Sequence, residues 1–231
     1  MKPTTAATQQ ALPFFAEQTP VFAGFSGRAN DELIARLMAL PKRFATCWLH
    51  GGAGAGKTHL LKATINTQRG YGYRSRYVDA ANDPFNRVAE TIGADQCVAI
   101  DNVDAWLGRR PAEELLFALY QDLLQREGQL LLGARASPVH TDFVLQDLAS
   151  RLRAAEIFEV HALDESGVRH LLQRRARERG LLLSRTVLDF WLTRRNRSVV
   201  ALLADLERLD AAAWQAKHRL TVPFLKAVLE L

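Results

Sequence analysis

Residues 51–58 read Gly-Gly-Ala-Gly-Ala-Gly-Lys-Thr, the pattern G-x-x-x-x-G-K-T. An apolar run at 47–49 precedes this loop and a helix-forming stretch at 59–65 follows it. In such a loop the backbone N–H groups face a polyphosphate, the lysine reaches the terminal phosphates and the threonine hydroxyl reaches Mg²⁺. The helix that follows directs the positive end of its dipole at the same anion. A plain glycine-rich hairpin would not need the Gly-Lys-Thr ending, so the sequence predicts a nucleoside phosphate site. The residues expected to contact the nucleotide are Gly51, Gly52, Ala53, Gly54, Ala55, Gly56, Lys57, Thr58 and His59.

Short apolar runs alternate with helical patterns through the first two thirds of the chain. Strands are predicted at 46–49, 75–78, 97–100, 130–132 and 157–160, and helices at 30–40, 59–66, 84–92 and 112–125. This alternation is typical of a parallel sheet covered on both faces. From Asp164 the pattern is wholly helical, with starts at Asp164, Ser184, Ser198 and Thr221. The sequence therefore predicts a flexible tail (1–20), an α/β nucleotide-binding domain (21–162) and a small helical lid (163–231).

Charge and cysteine usage set broad limits on the function. The net charge is +5, and 24 of the 30 basic residues are arginine, because only six are lysine. This excess is compatible with a nucleic-acid groove or with a solvated basic surface. Cys47 and Cys97 both lie in apolar strand-like runs, which favours buried thiols over a disulfide framework. With no apolar run of membrane length and no signal peptide, we expect a cytoplasmic protein that does not enter a membrane.

An acidic residue ends the predicted strand at 97–100. Asp101 would lie at the carboxyl edge of the sheet, beside the phosphate loop, where it can help to hold Mg²⁺. Hydrolytic relatives of such proteins usually carry a second carboxylate next, whereas this chain has Asn102, which cannot accept a proton. Asp104 is a possible substitute. After the strand at 130–132, Ala134 occupies the place of a polar phosphate sensor, so we expect the site to hold nucleotide more than to hydrolyse it.

Arg151 lies in the segment Asp-Leu-Ala-Ser-Arg-Leu at 147–152, just before the last predicted strand. An arginine at this edge can enter the active site of a neighbouring subunit and stabilise the transferring phosphoryl group, as an arginine finger acting in trans. A surface arginine or an ion pair at the edge of the core is the alternative interpretation, and the residues alone leave both open.

The tail contains Gln9, Leu12 and Phe14, spaced as Q-x-x-L-x-F. An extended peptide of this kind inserts its two apolar side chains into a groove while the glutamine amide bonds to the rim. Exposed leucine and phenylalanine in an otherwise polar tail need a partner. These three residues are therefore predicted to bind one.

Taken together, these motifs resemble the AAA+ family of DnaA-type initiators and the regulatory relatives that inactivate DnaA. The resemblance rests on 48–61, 100–102, 147–152 and 220–224. It implies an AAA+ P-loop fold with a parallel five-stranded sheet, flanking helices and a helical lid. It also implies that loop 51–58 holds ADP or ATP with Mg²⁺ near Thr58 and Asp101, and that Arg151 drives ATP hydrolysis by DnaA. The Gln9, Leu12 and Phe14 pattern is similar to the peptide that binds the DNA polymerase sliding clamp (beta subunit).

Two departures from the family pattern put intrinsic ATPase activity in doubt. The lid arginine that contacts nucleotide in the family aligns with Val200, with Arg197 as the nearest alternative, and the sensor position is Ala134. Three functions follow for testing: a regulator acting in trans, an ATPase in its own right such as a helicase loader, and a non-enzymatic clamp adaptor. Contact with DNA is expected through the clamp, and homo-oligomerisation is left open.

Overall fold

The computed structural model describes residues 21–231, apart from 23–24, 26–27, 41–42, 86, 89–92, 196–197 and 217–219. The tail motif of Gln9, Leu12 and Phe14 and the lid candidate Arg197 therefore lie outside the described residues. Within that part of the chain, no helix is both long and apolar enough to cross a membrane.

In the described residues five strands form a single sheet, and every neighbouring pair is parallel. The strands are β1 (Ala45–His50), β2 (Ser75–Asp79), β3 (Cys97–Asp101), β4 (Gln129–Ala134) and β5 (Glu156–Glu159). Their order is β2-β3-β4-β1-β5. The carboxyl ends of β1, β2, β3 and β4 consequently lie along one edge, where ligands bind in open α/β sheets.

Helices cover the sheet and then build the lid. They are α1 (Asp31–Met38), α2 (Lys57–Gly70), α3 (Arg110–Gln125), α4 (Gln146–Arg153), α5 (Glu165–Glu178), α6 (Arg185–Arg194), α7 (Val199–Ala216) and α8 (Val222–Leu229). Phe85, Arg87 and Val88 are also helical, in a segment whose neighbours 86 and 89–92 are outside the described residues. The helix predicted at 84–92 is thus described only in part.

Alternate side chains of each central strand enter two different cores. Leu130 and Leu132 belong to the core under α3 and α4, whereas Leu131 belongs to the core under α1 and α2. Such strands are buried on both faces, which is why they read as unbroken apolar runs in the sequence. Burial also raises the pKa of the Cys47 and Cys97 thiols to about 12, so both are protonated, buried thiols as expected.

The lid has a separate core centred on the fully buried Trp191. Three predicted helix starts are confirmed by side-chain caps: Asp164 accepts from the Gly167 N–H, Ser184 from Val187 and Thr221 from Phe224. Several lid arginines form ion pairs with acids, namely Arg169, Arg175, Arg179 and Arg195. This pairing favours the solvated basic surface over a nucleic-acid groove on the lid.

The predicted fold class is confirmed, while one helix is clearly longer than predicted and another was not predicted. Helix α2 was predicted to end near residue 66, but it continues to Gly70 because Thr67 and Arg69 bond to nearby carbonyl groups. Helix α4 was not predicted at all. Its strongly polar sequence shows only three buried side chains, those of Leu148, Ala149 and Leu152.

Candidate functional site

The glycine-rich loop connects β1 to α2, as the motif requires. Gly56 has a φ of +106°, a left-handed conformation that favours glycine, and an added Cβ would lie 2.2 Å from the Phe25 ring. Helix α2 then begins at Lys57, and in the described chain no side chain caps its first turn. The exposed N–H groups of that turn are what an anion would bind.

Lys57 occupies the mouth of this loop. Its ammonium donates to the carbonyl oxygens of Gly51 (2.6 Å) and Gly52 (3.0 Å), and the residue is 9% exposed. Burial lowers the pKa of Lys57, the charges of Asp101 and Asp104 oppose that shift, and the charge of Arg135 adds to it. A cation held among carbonyl groups in this way is a ready partner for a phosphate, which would neutralise the charge more fully.

The carboxylate of Asp101 lies next to the start of α2, where the sequence predicted it. Its Oδ2 accepts from the Thr58 hydroxyl and from the Tyr77 hydroxyl (3.0 Å), and its Oδ1 accepts from the Asn102 N–H (3.0 Å). Gly133 makes room for it, because a Cβ there would lie 2.7 Å from Oδ1. The acid is thus fixed at the edge of the sheet with only 1% of its surface exposed.

These residues fit a magnesium nucleotide. The Thr58 hydroxyl and the Asp101 carboxylate are hard oxygen donors of the kind that Mg²⁺ prefers. The described residues contain no group of three or more histidine, cysteine or acidic side chains able to hold a metal by themselves. That donor set suits an ion that keeps its waters and takes further ligands from phosphate.

A hydrogen bond and a left-handed backbone fix the Asn102 side chain. It has a left-handed backbone (φ 53°, ψ 38°), and its Nδ2 donates to Asp79 Oδ1 at 2.8 Å. Burial works against ionisation of Asp79, but hydrogen bonds from Asn102, Asn82 and the Ala81 N–H, with the charge of Lys62, outweigh it and lower the pKa of this carboxyl. The amide therefore faces a carboxylate, which fixes its orientation.

The two other positions considered for hydrolysis are those of Asp104 and Ala134. Asp104 accepts the Arg135 N–H with both carboxylate oxygens, at 3.2 and 3.0 Å. Ala134 is completely buried at the end of β4 and offers no polar atom to a phosphate. Arg135 itself is exposed.

His59, one residue after the loop, contacts the segment that leads into the domain. Its Nε2 lies 3.0 Å from the Val21 carbonyl oxygen, and its ring stacks on Phe25 at a centroid distance of 6.0 Å. Burial lowers the pKa of His59, the Val21 carbonyl opposes this, and the charges of Arg175 and Arg174 lower it further. Those two arginines belong to α5, so the lid lies close to this end of the loop.

Arg151 lies on α4, half-buried, on the opposite face of the sheet from α2. Its guanidinium is 5.5 Å from the Phe117 ring centroid and 5.4 Å from that of Tyr120, both on α3.

The buried Glu113 holds the start of α4, because its carboxylate accepts the N–H groups of Val144 and Leu145, as well as that of Gly108.

The structure thus brings together the loop, Lys57, Thr58, His59 and Asp101, and it leaves Arg151 apart from them. Val200, on the first turn of α7, is 70% exposed. The sequence reasoning missed Tyr77 and Asp79. The signal for Asp79 was available, because an acid ends strand β2 just as Asp101 ends β3, and the two are paired in register.

Comparisons with known proteins agree with this architecture. Residues 164–229 match the family model of the Hda lid domain. Domain III of the replication initiation protein DnaA from Thermotoga maritima superposes with a TM-score of 0.77 at 19% identity, covering 92% of this chain and 96% of that one. AMPPCP-bound DnaA from Aquifex aeolicus gives 0.70 at 21% identity, over 87% and 68%. The Thermotoga maritima RuvB Holliday junction branch migration motor gives 0.70 at 15%, over 91% and 71%.

Proposed function

We propose that this chain is an Hda-like, DnaA-related AAA+ protein and that it regulates the initiation of DNA replication. In this proposal it binds ADP or ATP with Mg²⁺ in the loop 51–58 and stimulates ATP hydrolysis by DnaA in trans. It acts while docked on the sliding clamp, in the cytoplasm, and reaches DNA through the clamp. The Hda lid and the DnaA-type fold support the coarse assignment.

The observation that carries the proposal is that a candidate phosphate site lies beside two positions, 102 and 134, that have no group able to accept a proton. Lys57, Thr58 and Asp101 meet at one edge of the sheet. Beside them the Asn102 amide is bonded to Asp79, and Ala134 is buried. Such a site retains nucleotide but has no evident group to activate water. We therefore propose that the bound nucleotide is chiefly ADP and that intrinsic turnover is slow.

Arg151 is proposed as the finger. It lies on the face of the sheet covered by α3 and α4, whereas Lys57 and Thr58 begin the helix that covers the other face. A cation so placed is better suited to a partner's nucleotide than to its own. Its stacking on Phe117 and Tyr120 keeps the guanidinium ordered while leaving it half-exposed.

The decisive experiment measures hydrolysis of radiolabelled ATP by DnaA, with clamp loaded on primed DNA, in the presence and absence of this protein. Arg151→Ala should leave folding, ADP binding and clamp binding intact but remove most of the stimulation, since an arginine finger contributes roughly 10³-fold or more to the rate. Arg151→Lys should rescue poorly because an ammonium cannot reproduce the planar fork.

Arg153→Ala is the matched control. Arg153 lies on the same helix but packs on Phe143 and donates to the Pro138 carbonyl oxygen. Stimulation should survive this change. If Arg151→Ala still stimulated DnaA at the wild-type level, the finger assignment would be wrong.

For the tail, the double change Gln9→Ala and Phe14→Ala should abolish clamp binding in a pull-down, because few residues carry a peptide's affinity.

Two other functions are less well supported. An ATPase acting on its own account would need a base, and the carboxylates nearest to position 102 are occupied, Asp79 by Asn102 and Asp104 by the Arg135 N–H. Fast steady turnover abolished by Lys57→Ala would favour it nonetheless. A purely adaptor role would leave DnaA hydrolysis unchanged in the assay above. Homo-oligomerisation is measured in the same preparations by light scattering.

A further inference from the structure

Tyr77 makes a contact with the acid of the metal site that the sequence motif does not require. Its hydroxyl donates to Asp101 Oδ2 at 3.0 Å, the same oxygen that accepts from the Thr58 hydroxyl. The residue lies on β2 opposite Ala99 of β3, whose small side chain leaves space for the ring. A phenol hydroxyl is thereby brought to the carboxyl edge of the neighbouring strand.

The Tyr77 ring is held in place by its packing. The Lys62 ammonium lies 4.9 Å from the Tyr77 ring centroid, and the ring packs against the core under α2. The hydroxyl is thereby fixed against the Asp101 carboxylate.

We propose that Tyr77 is a positioning residue for the Mg²⁺ that accompanies the nucleotide. With the Tyr77 bond on one side and the Asn102 N–H on the other, the Asp101 carboxylate has one orientation. In that orientation it accepts the hydroxyl hydrogen of Thr58, so the lone pairs of the Thr58 oxygen stay available to a metal ion. Groups that orient metal-site ligands in this way typically contribute 10- to 100-fold to metal affinity. This inference rests on the proposed nucleotide binding.

The test is Tyr77→Phe, which removes one oxygen atom and keeps the ring. ADP affinity is measured by calorimetry during a Mg²⁺ titration and again in EDTA. The variant should bind ADP in EDTA within about twofold of the wild type, whereas the Mg²⁺ concentration giving half of the metal-dependent gain should rise about 10-fold. Tyr73→Phe, the same chemical change in the loop before β2, is the control and should leave both values unchanged.

Three results would overturn the inference: an unchanged Mg²⁺ dependence in Tyr77→Phe, an equal loss of ADP affinity with and without Mg²⁺, and wild-type binding that is indifferent to Mg²⁺. The second would make Tyr77 a packing residue only. Failure of the wild type to bind ADP under any condition would instead refute the proposed nucleotide site, so the two failures are distinguishable. Thermal melts of each variant establish that it is folded.

Discussion

Asn102→Asp places a second carboxylate directly after Asp101, and we expect it to destabilise this protein. The Asn102 Nδ2 lies 2.8 Å from Asp79 Oδ1, so the new carboxylate would face an existing one. Two unit charges about 4 Å apart repel by roughly 4 kcal/mol at the effective dielectric of a protein surface. Solvent and the nearby Lys62 reduce this, while the lost charge-assisted hydrogen bond adds about 1.5–3 kcal/mol. We expect the free energy of unfolding to fall by about 3 kcal/mol at pH 7.

The exchanged pair Asp79→Asn with Asn102→Asp re-forms an amide–carboxylate bond in the opposite direction. It should recover about 2 kcal/mol of the loss. Recovery is incomplete because Asp79 also accepts from Asn82 Nδ2 (2.7 Å) and the Ala81 N–H (3.1 Å), and an amide oxygen accepts these bonds less strongly. Neither variant should hydrolyse ATP rapidly, since Ala134 is unchanged and still offers no polar atom to a phosphate.

Urea unfolding followed by circular dichroism at pH 7 measures these differences. Asn82→Asp is the matched control, because it sets the same new charge against the same carboxylate from an exposed position and should cost less than about 1 kcal/mol. The penalty of Asn102→Asp should also shrink as the pH falls, because the mutual repulsion raises the pKa of one of the two carboxyl groups and a proton on it removes the repulsion. If Asn102→Asp were as stable as the wild type, or the exchanged pair no better than the single change, the coupling of these two residues would be refuted.

Two further predictions concern buried groups that hold the site's surroundings. Because the pKa of His59 is lowered in the folded protein, the unfolded chain binds more protons just below its ordinary pKa of about 6.5, so stability should fall as the pH drops through that range. His59→Gln should flatten this part of the pH profile in thermal melts, and an unaltered profile would exclude His59 as its source. Glu113→Ala should cost about 3–5 kcal/mol, since three backbone N–H groups lose their acceptor. The exposed neighbour change Glu114→Ala should cost under about 0.5 kcal/mol, and similar unfolding midpoints for the two would contradict the argument.

Most of the fold could be read from the sequence because its signals are local. Buried parallel strands appear as short apolar runs, and the caps Asp164, Ser184 and Thr221 each bond within three residues of themselves. Helix α4 escaped detection for a physical reason. The Glu113 side chain, more than thirty residues away, bonds to the start of this helix. The residue at the N-cap position is Leu145, which cannot cap a helix with its side chain.

The candidate site was less predictable than the fold. The phosphate loop and Asp101 follow from a motif and a strand end, and both are where the sequence predicted them. Tyr77 and Asp79 act through Asp101 and Asn102, which lie more than twenty residues away along the chain. The acid at the end of β2 was a signal for Asp79, but the contacts of both residues depend on the register of β2 against β3, which no spacing rule within one strand contains.

Three acids lie at or just after the carboxyl ends of β2 and β3, and each accepts a hydrogen bond. Asp79 accepts from the Asn102 amide, Asp101 from the Thr58 and Tyr77 hydroxyls, and Asp104 from the Arg135 N–H. These bonds orient the carboxylates and occupy lone pairs that a proton-accepting base would need free. An edge built in this way suits the binding of a nucleotide more than its hydrolysis. We therefore propose that rapid hydrolysis takes place in a partner's site, where Arg151, on the far face of this sheet, acts.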